Sequence, residues 1–135
     1  MEVQLVVLAD NANIAAGDKL NIMGVFDTIF APSFPALHPY MVLAIRFRVE
    51  YEDGGKNHQV VVSLRDEDNR EYVRAVAEAA VPKVPPGTVQ HPNQILNFAG
   101  MTFGKPGKYA FHILIDGEEK GRADLQLVQA KGPAA

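Results

Sequence analysis

Between Tyr40 and Glu52 most of the large apolar residues keep to one parity, and from Ile45 onward polar residues fill the other. Met41, Leu43, Ile45, Phe47, Val49 and Tyr51 fall on one parity, and Ala44, Arg46, Arg48, Glu50 and Glu52 on the other. Successive side chains of a strand point to opposite faces, so this run predicts a strand with one side on a core and one in water. Asp53-Gly54-Gly55-Lys56 then reads as a turn, and His58 to Asp66 repeats the alternation with Val60, Val62 and Leu64. A hairpin centred on Gly54-Gly55 sets Phe47 opposite Val62 and Ile45 opposite Leu64, so both apolar faces coincide.

Upstream, Val3 to Ala9 is apolar on both parities, as in a buried strand. The Asp10-Asn11-Ala12-Asn13 cluster suits a turn, and Leu20 to Phe30 forms a second strand. Gly24 inside it marks a bulge or a close backbone approach. The loop Ala31 to Tyr40 carries Pro32, Pro35 and Pro39, and must place Phe34, Leu37 and Tyr40 somewhere. Downstream of Asp66, Tyr72 to Val81 alternates with Val73, Ala75, Ala77 and Ala79 on one side. Its alanines also allow a short helix, so 71–81 reads as a strand with that alternative open. Pro82 to Gly87 lacks the donors for a sheet interior and reads as a crossing between sheets. Asn93 to Phe103 has an imperfect period, with a bulge expected near Gly100. Tyr109 to Ile115 and Arg122 to Val128 complete the set.

About eight short strands with Pro/Gly turns predict an all-β fold: a single antiparallel two-sheet β-sandwich over 1–130, with a flexible tail at 131–135. Gly107-x-Tyr109 ahead of a late strand resembles the tyrosine corner of immunoglobulin-like sandwiches.

The totals narrow the function without naming it. A chain of 135 residues, 47% hydrophobic, builds one domain with a core of its own. With no cysteine it has no disulfide, no thiolate metal site and no thiol nucleophile, and it suits a reducing compartment. A net charge of −3 and no aromatic interleaving of its arginines argue against nucleic acid. No apolar run reaches membrane length, and the N-terminus lacks a basic secretory region. The expected location is the cytoplasm.

Candidate chemistry is sparse. Asp66-x-Asp68-Asn69, completed by Asp27 or Asp116, would make a calcium loop, but an acidic hairpin turn wants the same residues for backbone reasons. The histidines, His38, His58, His91 and His112, are scattered, with no pair at metal-ligand spacing. Neither Ser33 nor Ser63 sits in a nucleophile elbow, and no phosphate-binding glycine loop occurs. The sequence predicts no catalytic residue, no cofactor and no resident metal. Two surfaces remain. Arg46, Arg48 and Arg65 would share the outer face of the predicted hairpin, with Arg46 opposite Ser63. In the proline loop, Phe34 or Leu37 would form a preorganised apolar knob if directed outward.

The stretch ADNAN followed by GDKLNIMGVFDTIFAPSFPA, with the later PGKYAFHILIDGEEK, is similar to a family of small bacterial proteins classed as a domain of unknown function. The resemblance runs from about Leu5 to Val128. It implies a stand-alone cytoplasmic bacterial β-sandwich and brings no activity, cofactor or site residue. The expectation is a non-enzymatic protein-interaction or scaffolding module that binds another protein, with self-association through an edge strand as a further route. The alternative is a small-ligand or calcium-binding sandwich using its acidic loops.

Overall fold

A computed structural model describes residues 1–130; the predicted tail at 131–135 lies outside the described residues. These residues form nine strands and one 3₁₀ turn rather than eight strands. The strands are β1 (Glu2–Ala15), β2 (Lys19–Phe26), β3 (Thr28–Ala31), β4 (Ala36–Arg48), β5 (Lys56–Asp66), β6 (Glu71–Val81), β7 (Asn93–Phe103), β8 (Gly107–Ile115) and β9 (Glu118–Gln129). They make a four-stranded sheet in the order β2-β1-β4-β7 and a five-stranded sheet in the order β3-β9-β8-β5-β6. No helix among the described residues is long and apolar enough to cross a membrane.

The alternating runs bury the sides they were expected to bury. Met41, Leu43, Ile45 and Phe47 of β4 meet Val60, Val62 and Leu64 of β5, Phe111 and Ile113 of β8 and Leu125 and Leu127 of β9 in one core between the sheets. Aromatic rings span it: Phe98 lies 5.2 Å from Phe111, and Phe103 lies 5.3 Å edge-on to Tyr109. The Tyr109 hydroxyl donates to the Lys105 carbonyl at 2.7 Å, the bond a tyrosine corner makes.

The predicted hairpin is not one. β4 pairs with β1 and β7, whereas β5 pairs with β6 and β8, so the two strands lie in different sheets. Their apolar faces meet across the core instead of side by side. β4 ends at Arg48, short of Glu52, and the one-turn 3₁₀ helix Tyr51–Asp53 with Gly54 and Gly55 carries the chain across. Gly55 adopts φ +72°, and its N–H bonds the Val81 carbonyl at the end of β6.

The first third also differs from expectation. β1 runs through the Asp/Asn cluster to Ala15, and the turn falls at 16–18. The stretch read as one strand from Leu20 to Phe30 breaks at Asp27, where the chain leaves the first sheet. β3 then runs parallel to β9, Thr28 beside Gln126 and Ala31 beside Gln129, so the sandwich is not wholly antiparallel. The proline loop is shorter than 31–40, because β4 begins at Ala36 and includes His38 and Pro39. Residues 71–81 are strand, resolving the open alternative.

The outer half of the β1–β2 hairpin is an arm that crosses β4. β1 pairs with β4 only as far as Ala9, and beyond it the arm pairs with itself, Asn11 with Met23 through Ala15 with Lys19. Its tip reaches the far side of the sheet, where the Asn93 side-chain amide of β7 donates to the Asp18 carbonyl at 2.9 Å. Ala9, Val42 and Ala44, which alternate with core residues and so lie on the outer face, have no exposed surface. This face was expected in water. Gly24 sits at the bend with φ +72°, and a Cβ there would lie 2.9 Å from the carboxyl carbon of Asp10. The sequence offered a bulge or a close backbone approach; what comes close is an aspartate side chain instead.

Candidate interaction surface

Where the chain passes from the first sheet to the second, apolar side chains are left in the open. β3 is held at its ends: the Gln126 N–H donates to the Asp27 carbonyl at 2.7 Å, and the Ala130 N–H to the Ala31 carbonyl at 2.9 Å. Between these anchors Phe30 is 56% exposed. The chain then turns through Pro32 to Pro35, with a cis Phe34–Pro35 peptide, and Leu37 at the start of β4 is 65% exposed. Phe30, Pro35 and Leu37 line an open cleft of about 380 Å³ with Ile29, His38 and Phe103. The His38 ring lies 5.8 Å from Phe26, and its buried Nε2 has no hydrogen-bond partner among the described residues.

The predicted apolar knob thus divides. Phe34 is half-buried against the core, and Leu37 is the residue that faces out. Phe30 was missed, because it lay inside a supposed continuous strand. Its place just before a proline cluster is the signal that locates it.

The three arginines do not share a face. Arg46 and Arg48 are on β4 of the four-stranded sheet, and Arg65 is on β5 of the five-stranded sheet. Ser63 pairs with Arg74 and His112, not with Arg46. Each guanidinium is also occupied within the chain. Arg46 Nε donates to Gln4 Oε1 at 2.7 Å, and Arg48 Nη2 meets Glu50 Oε1 at 2.8 Å. Arg65 Nε donates to the Ser63 hydroxyl at 3.0 Å. Arg46 does border a second, polar groove beneath the arm, with Asp18, His91 and Asn93.

Ser63 stands opposite His112 in the ladder, and His112 Nδ1 contacts Glu119 Oε1, which has the residue types of a Ser-His-carboxylate trio. The geometry does not match the role. Ser63 has no exposed surface, and its hydroxyl donates to Glu71 Oε2 at 2.5 Å. That bond holds the Glu71 carboxyl below its ordinary range.

The Asp66 cluster serves its own turn. One Asp66 oxygen accepts the N–H groups of Asp68 and Arg70, and the other accepts the Tyr72 hydroxyl at 2.7 Å. This bond pushes the phenol up to about 12. Asp116 lies at the opposite end of β8 from Tyr109, the partner of Asp66, so the two aspartates do not converge. No three His, Cys, Asp or Glu side chains among the described residues are placed to hold one metal ion.

Comparison with curated proteins returns no match. Among solved structures, the chain is similar to the alkylpurine DNA glycosylase AlkC of Pseudomonas fluorescens bound to DNA containing an abasic site analog. The identity is 15% and the TM-score 0.45 over 91% of this chain. The chain spans 30% of that enzyme's length. The profile of a family of unknown function, DUF6941, matches residues 4–128, and the chain belongs to that family.

Proposed function

We propose that this protein is a non-enzymatic interaction module, an immunoglobulin-like sandwich that docks another protein on the cleft between β3 and the start of β4. The observation that carries the reading is the joint exposure of Phe30 and Leu37 on the rim of one open cleft. Exposed apolar residues scattered singly are ordinary, whereas a cluster around a concavity marks a docking site. Prolines 32, 35 and 39 stiffen this segment, so little entropy is lost when a partner seats an apolar side chain there. The Tyr109–Lys105 bond and the two facing sheets support the immunoglobulin-like assignment. A cysteine-free chain suits work in a reducing cytoplasm.

Affinity capture from lysate of the source organism tests the reading. Wild type is compared with Phe30→Glu/Leu37→Glu and with Arg46→Glu/Arg48→Glu, all checked for unchanged secondary structure. A stoichiometric partner should remain with the arginine variant and be lost with the apolar one. Retention of the partner by Phe30→Glu/Leu37→Glu overturns the proposed surface.

A further inference from the structure

β6 ends the five-stranded sheet, and among the described residues no strand lies beside its outward edge. Sheet edges are usually protected by shortness, proline, lysine or a bulge that twists the edge away. β6 is 11 residues long and contains no proline, lysine or glycine. Its register with β5 is regular from Val73 to Val81, and the one irregularity falls at the Glu71 end. Val76, Ala77, Glu78 and Ala80 are exposed along it.

Three charges lie on β6: Glu71, Arg74, whose guanidinium meets Glu71 Oε2 at 3.3 Å, and Glu78; the spacing of Arg74 and Glu78 alters their meaning. Arg74-Ala75-Val76-Ala77-Glu78 is symmetric in size about Val76 and antisymmetric in charge. An antiparallel partner related by a two-fold axis through Val76 sets Arg74 opposite Glu78 of the second copy, and Glu78 opposite its Arg74. Ala75 then meets Ala77, Val73 meets Ala79, and the exposed valines meet at the axis. A side-chain period of two keeps all these pairs face to face. Opposite charges directly across a ladder attract, and like charges repel.

We infer that β6 pairs antiparallel with β6 of a second copy of this chain, joining two five-stranded sheets into one of ten strands across a two-fold axis. The interface is isologous, so it closes at two copies and leaves no further β6 edge to extend. It is separate from the Phe30–Leu37 cleft and does not depend on it.

Sedimentation velocity from about 1 µM to about 500 µM tests this. Wild type should show a concentration-dependent monomer–dimer equilibrium. Glu78→Arg, which places arginine against arginine twice, should raise the dimer Kd about tenfold or more. The exchanged variant Arg74→Glu/Glu78→Arg restores both pairs and should return the Kd to within about threefold of wild type. Val76→Lys, at a position 53% exposed, sets two ammonium groups together on the axis and should abolish the dimer without unfolding the chain. A wild type monomeric throughout, a Glu78→Arg dimer as tight as wild type, or an exchanged variant that stays monomeric each overturns the inference.

Discussion

His58 is buried, and both of its ring nitrogens are engaged. Nε2 lies 3.0 Å from the Asp53 carbonyl and Nδ1 lies 2.7 Å from Asp116 Oδ2. Both neighbours are acceptors, so both ring nitrogens can donate only in the protonated ring, the form these contacts favour. The bond to the Asp53 carbonyl raises its pKa above the ordinary 6.5, burial opposes this, and the Asp116 carboxylate adds to it. Asp116 is lowered in turn, by the Gln59 N–H at 2.9 Å and then by His58. A raised histidine stabilises fully below its unfolded pKa, and the contribution is lost as pH climbs through the folded value. A lowered aspartate contributes above its unfolded pKa and loses the contribution as pH falls through the folded one. Thermal unfolding followed from about pH 5.5 to about pH 9 should show Tm falling by a few degrees on the alkaline side, about 2–5 °C. His58→Gln should flatten that slope, and an unchanged slope in the variant would exclude His58 as its source. Gly24 is the other position where one side chain decides the local structure. Gly24→Ala adds a Cβ against Asp10 in a backbone region that L-residues avoid, and should cost about 1–3 kcal/mol in urea unfolding.

β4 is a central strand covered on both sides, by the core on one and by the β1–β2 arm on the other. Its alternation was legible, and so was the burial of Met41 through Phe47. The burial of Val42 and Ala44 was not, because what covers them arrives from residues 10–23, and alternation reports only that two faces differ. The arm is tied at its tip by the Asn93 amide, whose Oδ1 also accepts from Arg46 Nη1 at 3.3 Å, so removing that side chain loosens the tie together with one contact to β4. Asn93→Ala should cost about 1 kcal/mol and speed amide hydrogen exchange within 11–22, leaving β5 and β8 protected as in wild type. Uniform acceleration across all strands would show instead that the arm unfolds only with the whole domain. The proline loop was half legible in the same way. Its stiffness follows from Pro32, Pro35 and Pro39, but the choice of Leu37 over Phe34 as the outward residue depends on where β4 begins.

In the complete molecule the two candidate contacts lie on separate sites, the Phe30–Leu37 cleft beside β3 at one margin of the five-stranded sheet and β6 at the other. A dimer joined through β6 would therefore leave both clefts free and present two docking sites per assembly, a bivalent arrangement that strengthens binding to a multivalent partner. What the sequence by itself determined was the all-β class and the inward residues of β4, β5, β8 and β9. These follow from side-chain period, turn chemistry and reach along the chain, all of which are local. The tertiary structure alone decided partnership. β4 and β5 satisfy the same alternation as sheet neighbours or as opposing faces of a core, because burying two apolar sides together is equally favourable in either arrangement. What separated the alternatives was that β1 and β7 already occupy both edges of β4, leaving no ladder for β5. The same occupancy put Arg65 on a different sheet from Arg46 and Arg48, and left β6 with an open edge.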